Sequence, residues 1–223
     1  MTYLVSDLCG NYEKFKELLS AISFSDADSL YLLGDLVDYG DASIELVEDL
    51  SLRLNVYPVA GEHDYKAARM LSGFDKMLSS GENPDVTFIR EMQEWVSDGG
   101  QTTLDAYRTL DKDRREGVLE YLFDLPLFEE VSVGDKDYLL LHMGLAKERA
   151  GEDLYDLAPE DFFSTPLTKA GLPQGGITVA VGHKPTESGK IEYGKNCIFL
   201  DCGVKDGGKL GCLCLETMEE TYV

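Results

Sequence analysis

Leu30-Tyr-Leu-Leu-Gly34-Asp35-Leu36-Val37-Asp38-Tyr39-Gly40 sets a short, bulky apolar run against a glycine and an aspartate. Such a run, closed by a turn signal, reads as a buried strand. The pattern recurs in Tyr3-Leu-Val-Ser-Asp7, Val56-Tyr-Pro-Val-Ala-Gly-Glu-His63, Tyr138-Leu-Leu-Leu-His142 and Ile177-Thr-Val-Ala-Val-Gly-His183, each running into Asp or His. Between the first three strands lie helical patterns. Phe15, Leu18, Leu19 and Ile22 share a face after Asn11; Ile44, Val47, Leu50 and Leu54 share one after Asp41, which reads as the cap. A βαβαβ start predicts an α/β fold with parallel strands, helices packed outside, and ligands at the carboxyl ends of the strands.

Residues from about 65 to 124 lose strand alternation and take helical spacing (Phe88, Met92, Trp95, then Val118, Leu119, Leu122), broken at Gly99-Gly100. They read as a helical insertion. Glu130–Val133 and Tyr138–Leu141 flank a Gly134-Asp135 turn and predict a hairpin. From Ile191 onward short strands alternate with glycine turns. With no linker-like tract, 1–223 is expected to be a single domain carrying the 65–124 insertion.

The chain is 43% apolar and 28% charged, an ordinary globular mixture with no run long enough to span a bilayer and no signal-like start. A cytoplasmic protein is expected. The cysteines (Cys9, Cys197, Cys202, Cys212, Cys214) are odd in number with no C-x-x-C pair, which argues for reduced thiols. A formal charge of −22 repels nucleic acid and anionic membranes, so neither is an expected partner. It would repel a phosphoester too, unless bound cations reverse the field locally.

All three histidines, His63, His142 and His183, close predicted strands, as do Asp7 and Asp35. One such residue alone is more often structural. Several converging on one sheet edge form the Asp/His set that divalent metals require.

The runs Ser6-Asp-Leu-Cys-Gly-Asn11, Gly34-Asp-Leu-Val-Asp-Tyr-Gly40, Gly61-Glu-His-Asp64, Leu141-His-Met-Gly144 and Gly182-His-Lys-Pro-Thr186 resemble, in order, the GDxHG, GDxVDRG, GNH(D/E), HAG and GHTP motifs of the calcineurin-like metallophosphoesterases. Trp95-Val-Ser-Asp-Gly-Gly-Gln-Thr-Thr-Leu104 and Asp201-Cys-Gly-Val-Lys-Asp-Gly-Gly-Lys-Leu210 are similar to segments of the bacterial serine/threonine protein phosphatases and symmetrical diadenosine tetraphosphatases. The resemblance implies a four-layer α-β-β-α sandwich and two divalent metal ions (Mn, Zn or Fe). Asp7 and the residue at position 9 would hold one ion, Asp35 would bridge, and position 62, His142 and His183 would hold the other. His63, oriented by Asp38, would protonate the leaving group while a metal-bridging hydroxide attacks phosphorus.

The chain departs from that pattern. Cys9 stands where the family has His, Glu62 where it has Asn, and Tyr39 where it has Arg; Leu157–Phe163 lacks a further family arginine. Cys9 is either a thiolate ligand, which would favour zinc or iron and be oxidisable, or a buried inert thiol. Glu62 is either a carboxylate ligand or solvated. With both ionised, four anions rather than two would face the metals. Tyr39 offers one neutral hydrogen bond in place of a bidentate grip, and Lys184, Lys66 and Arg69 are the nearby cations in sequence. Tyr39 and Lys184 are the expected substrate-binding residues. The expected function is a metal-dependent phosphoesterase acting on a small phosphomonoester or a phosphoprotein. The alternative is a degenerate pseudophosphatase that binds metal or a phospho-ligand without efficient turnover.

Overall fold

The computed structural model describes residues 1–80, 84–146, 149, 151–171 and 176–223. The first sheet has the order β10-β9-β1-β2-β3, built from β1 (Thr2–Val5), β2 (Ser29–Leu33), β3 (Val56–Val59), β9 (Gly211–Cys214) and β10 (Glu220–Tyr222). Its β1, β2 and β3 are parallel, with Tyr3 opposite Leu30 and Tyr31 opposite Tyr57. The crossovers are α1 (Tyr12–Ala21) and α2 (Ser43–Ser51), as the periodicity requires. The second sheet has the order β4-β5-β6-β8-β7, from β4 (Phe128–Val133), β5 (Lys136–Leu141), β6 (Ile177–Val181), β7 (Glu192–Gly194) and β8 (Cys197–Phe199). β4 and β5 form the expected hairpin, and β5, β6 and β8 run parallel.

Alternation along each strand divides the apolar residues between two faces. Leu4, Leu33, Tyr138, Leu140, Ala180 and Leu213 fill the space between the sheets. Val5, Leu30 and Leu32 point the other way, into a core shared with the first six helices. Leu139, Leu141, Val179 and Val181 pack outward against Leu145, Leu157 and Phe162, the last on α7 (Pro159–Phe162). Two mixed sheets flanked by helices make the sandwich. No helix among the described residues is long and apolar enough to cross a membrane.

The insertion is helical, as its spacing predicts: α3 (Glu62–Ser80), α4 (Val86–Trp95), α5 (Gln101–Tyr107) and α6 (Lys112–Phe123). Residues 81–83 of it lie outside the described set. The Gly99-Gly100 break is an irregular turn over Val96–Gly100, in which Gly99 takes φ 96°. Three sequence expectations give way. Leu54 lies beyond the end of α2 and is exposed, because that helix stops at Ser51. Ala42, not Asp41, precedes its first turn. Glu62 and His63 open α3 rather than sitting in a turn ahead of it, since Asp64 Oδ2 accepts Gly61 N at 2.8 Å and starts the helix early.

All five cysteines are free and buried. Burial pushes the Cys202 and Cys212 thiols up to about 12 and Cys9 well above its ordinary value. At pH 8 such a thiol is a thiolate about one part in 10⁴ of the time, so the native protein is expected to resist iodoacetamide. Mass spectrometry should find less than about one label per native chain, and complete labelling only after unfolding.

Candidate active site

The parallel strands of each sheet end on one edge, and the chemistry gathers there. β1 leads into Asp7, β2 into Asp35, β5 into His142, β6 into His183 and β8 into Asp201. The connections are abrupt: Asp7, Cys9, Asp35, Asp38, Tyr39 and His183 all have φ between 46° and 73°, the left-handed region that few non-glycine residues adopt. Close glycine contacts make these bends possible. A Cβ on Gly61 would overlap the backbone nitrogen and Oδ1 of Asp35, and one on Gly182 would overlap Asp7 Oδ2.

Asp35, His142 and His183 bring one ligand atom each within 4.8 Å of one another, the one such trio among the described residues. His142 Nδ1 meets the Leu33 carbonyl at 2.8 Å, so that nitrogen carries the hydrogen and Nε2 faces the trio. There Nε2, fully buried, lies 3.2 Å from Asp35 Oδ1, an ion pair when the ring is protonated, but off hydrogen-bond geometry and with no other partner. An orphaned imidazole nitrogen aimed at a carboxylate and a second imidazole fits a divalent cation. Asp7 adjoins the trio: both its carboxylate oxygens accept from His183 N at 3.1 Å.

The remaining expected ligands do not join this trio. Cys9 is 1% exposed, and burial with the Asp7 and Asp35 charges keeps its thiol neutral. Glu62 turns its carboxylate to Lys66 Nζ at 3.3 Å. Burial and the Asp201 charge raise Asp7 well above the usual carboxylate range. Burial opposes ionisation of Asp35 too, but His142 overcomes it and holds Asp35 below that range. For His142, burial is outweighed by Asp35, Asp7 and the Leu33 carbonyl, and its pKa rises to about 10. For His183, burial and the neighbouring His142 lower it.

Beside the trio stands the expected acid pair. Asp38, 0% exposed, receives His63 Nδ1 on Oδ2 at 2.8 Å. Two further donors hold the carboxylate: Trp95 Nε1 on Oδ2 at 2.7 Å and Thr103 Oγ1 on Oδ1 at 2.7 Å. Thus the insertion, through α4 and α5, fixes the partner of His63. Burial lowers the His63 pKa, but Asp38 and Asp35 raise it to a value above the ordinary one. His63 is tied to the trio as well, its backbone nitrogen donating to Asp35 Oδ1 at 3.0 Å. Its Nε2 faces the Tyr39 hydroxyl at 3.3 Å, and that hydroxyl donates to Asp98 at 3.0 Å. Lys184 follows His183 and lines a cavity of about 300 Å³ with Met143, Pro166, Pro185 and Phe199.

A family model described as calcineurin-like phosphoesterase matches residues 2–202. The chain belongs to that family. Among phosphoesterases it is similar to the symmetrical bis(5'-nucleosyl)-tetraphosphatase of Pasteurella multocida strain Pm70, 41% identical over 101 residues, which are 43% of this chain and 36% of that protein. The same enzyme of Acidovorax sp. strain JS42 is 30% identical over 160 residues, 71% of this chain and 49% of that one. The chain thus spans half or less of the length of these curated relatives. A crystal structure of a protein described as a proposed diadenosine tetraphosphatase superposes with a TM-score of 0.67 at 20% identity, covering 100% of this chain and 92% of the other; it shares the phosphoesterase fold.

Asp201 and Asp64 were not singled out from the sequence as site residues. Asp201 lies 3% exposed at the same edge, bonded to Gly203 N at 2.8 Å, and Asp64 clamps Leu36 N and Gly61 N at 2.8 Å. Burial and the Asp35 charge push Asp64 up to about 7. The usable signals were the Asp after the last central strand and the Asp following His63.

Proposed function

We propose that the chain is a metal-dependent hydrolase of small phosphate compounds, with the phosphoanhydride of a dinucleoside polyphosphate as the substrate class. The observation that carries it is the Asp35, His142 and His183 trio with its orphaned Nε2, standing beside the buried Asp38 and His63 couple. The names of the curated relatives point to the anhydride rather than to a phosphoprotein. Asp35, His142 and His183 would hold a divalent cation, with Asp7 alongside. Such a cation polarises phosphoryl oxygens and lowers the pKa of water. His63 protonates the departing oxygen from Nε2, while Asp38 keeps the ring protonated and aligned. The buried surroundings strengthen each of these interactions by excluding water.

The test is hydrolysis of diadenosine tetraphosphate, an aryl phosphate and a phosphopeptide with added manganese, zinc or iron. The reading requires turnover of the anhydride above that of an Asp35→Asn control; none in any metal between pH 5 and 9 ends it.

Loading of the trio has a signature independent of turnover. With His142 raised to about 10, the metal-free ring carries a proton at pH 7 that a metal must displace. Calorimetry in two buffers of different ionisation enthalpy is expected to register release of about one proton per metal at pH 7. Release should shrink as pH rises towards 10, where the free ring has already lost its proton. Binding with no proton release would mean that His142 is not displaced.

A second reading, a pseudophosphatase, is favoured by one feature: the Tyr39 hydroxyl lies on the His63 nitrogen that must face the leaving group. Cys9→His with Glu62→Asn separates the two. Strong activity created where the natural chain has almost none supports the pseudophosphatase; an efficient natural chain rules it out.

A further inference from the structure

Position 39 lacks the arginine of the relatives' motif, and most other nearby cations are already engaged. Lys66 is paired with Glu62 at 3.3 Å, Arg69 with Glu91 at 3.5 Å and Arg149 with Glu152 at 2.8 Å. Lys184 lines the cavity of about 300 Å³ with Met143, Pro185 and Phe199. Lys205 is different. Its ammonium lies 5.1 Å from the centre of the Tyr39 ring, over its face, and no carboxylate among the described residues pairs with it. That ring in turn has its centre 5.0 Å from that of His63 and its hydroxyl 3.3 Å from His63 Nε2.

The backbone around Lys205 holds it there. It sits in a single turn, Val204–Asp206, between Gly203 and Gly207, both in the left-handed region. Gly203 N is tied to Asp201 Oδ1 at 2.8 Å, Gly208 N closes on the Gly203 carbonyl at 2.8 Å, and Val204 is buried beneath. The side chain is exposed, its ammonium open to a ligand. In a chain of charge −22, an ammonium with no carboxylate partner among the described residues, set over the ring that adjoins His63, is suited to draw an anion in.

We propose that Lys205 is the phosphate-binding cation of this site, supplied from the turn after β8 and aimed by the Tyr39 ring in place of the arginine absent at position 39. The aromatic face orients the ammonium without neutralising it, leaving its donors for phosphate oxygens. Lysine grips as a point charge rather than as a fork, so the site tolerates variation in the orientation of the bound phosphate. The assignment rests on the reading of the chain as a phosphate hydrolase.

Inorganic phosphate titrated calorimetrically into manganese-supplemented protein decides it, with diadenosine tetraphosphate turnover followed in parallel. Lys205→Met is expected to raise the phosphate dissociation constant about tenfold, the effect of one charge-assisted hydrogen bond, and Lys205→Arg to stay within about threefold of the natural chain. KM should rise with the phosphate constant, while kcat changes by less than about threefold. A Lys205→Met chain that binds phosphate like the natural one overturns the proposal, as does a natural chain with no phosphate site. Unchanged phosphate binding in Lys205→Met, with turnover lost in Asp35→Asn, removes Lys205 and leaves the hydrolase. A Lys205-dependent phosphate site in a chain without turnover does the reverse.

Discussion

Asp35→Asn is expected to abolish turnover and to weaken metal binding by about 100-fold or more, since removing only a supporting group of a metal ligand already costs about 10–100-fold. Asp35 is where three demands meet. Its Oδ1 faces the free nitrogen of His142 at 3.2 Å, accepts the His63 backbone at 3.0 Å, and lies in the only described trio of ligand atoms. Asparagine keeps the shape and the acceptor for His63 N but loses the charge that draws a cation in. The fold should survive, because the neighbouring backbone ties (Asp7 N to Gly34 O at 3.1 Å, Cys9 N to Asp35 O at 2.8 Å) do not involve the carboxylate. Metal analysis, circular dichroism and turnover on one preparation check this. A variant that retains its metal would show that the trio is not the centre.

Asp38→Ala is expected to give the largest loss of stability. The carboxylate is fully buried and receives Trp95, Thr103 and His63, so its removal strands the Trp95 and His63 donors, while Thr103 keeps Ser43 Oγ at 3.1 Å. Breaking a buried charge pair costs about 3–5 kcal/mol, which for a chain of this size lowers Tm by about 6–20 °C. Asp38→Asn is the milder probe. Its oxygen can accept from Trp95 and His63 while Thr103 rotates to accept from the amide, so most of the fold is kept. The charge is gone, however. Loss of an oriented acid is expected to lower kcat by about 10²–10⁴. The direction with pH is also fixed. Asp38 raises the His63 pKa, so the protonated ring of the natural chain persists to higher pH. Without that charge the alkaline limb of kcat must move to lower pH. An unmoved limb would mean that a group other than His63 titrates there.

The apolar runs and the residues closing them were legible because strand-end residues of a parallel sheet share an edge whatever the loops do. Asp7, Asp35, His142 and His183 followed from that topology. The fate of Glu62 did not, since it depends on whether α3 starts before or after it, and the Asp64 clamp on Gly61 decides that. The Trp95 and Thr103 grip on Asp38 was out of reach for a different reason. The two are brought together by an irregular turn whose shape no helical spacing predicts, although a buried indole always needs an acceptor. Lys205 is far from Tyr39 in the chain, and only folding places them face to face.

The left-handed backbone of Asp7, Cys9, Asp35, Asp38, Tyr39 and His183 has an implication for the chain as a molecule to be altered. Each such residue costs of order 1–3 kcal/mol that the surrounding packing must absorb. Selection for thermal robustness alone would therefore drift towards glycine or asparagine at these positions, relaxing the backbone and erasing the donor atoms together. Heat tolerance and chemistry are opposed at this edge of the sheets, and a hardier version of the protein has to be sought among its helices instead.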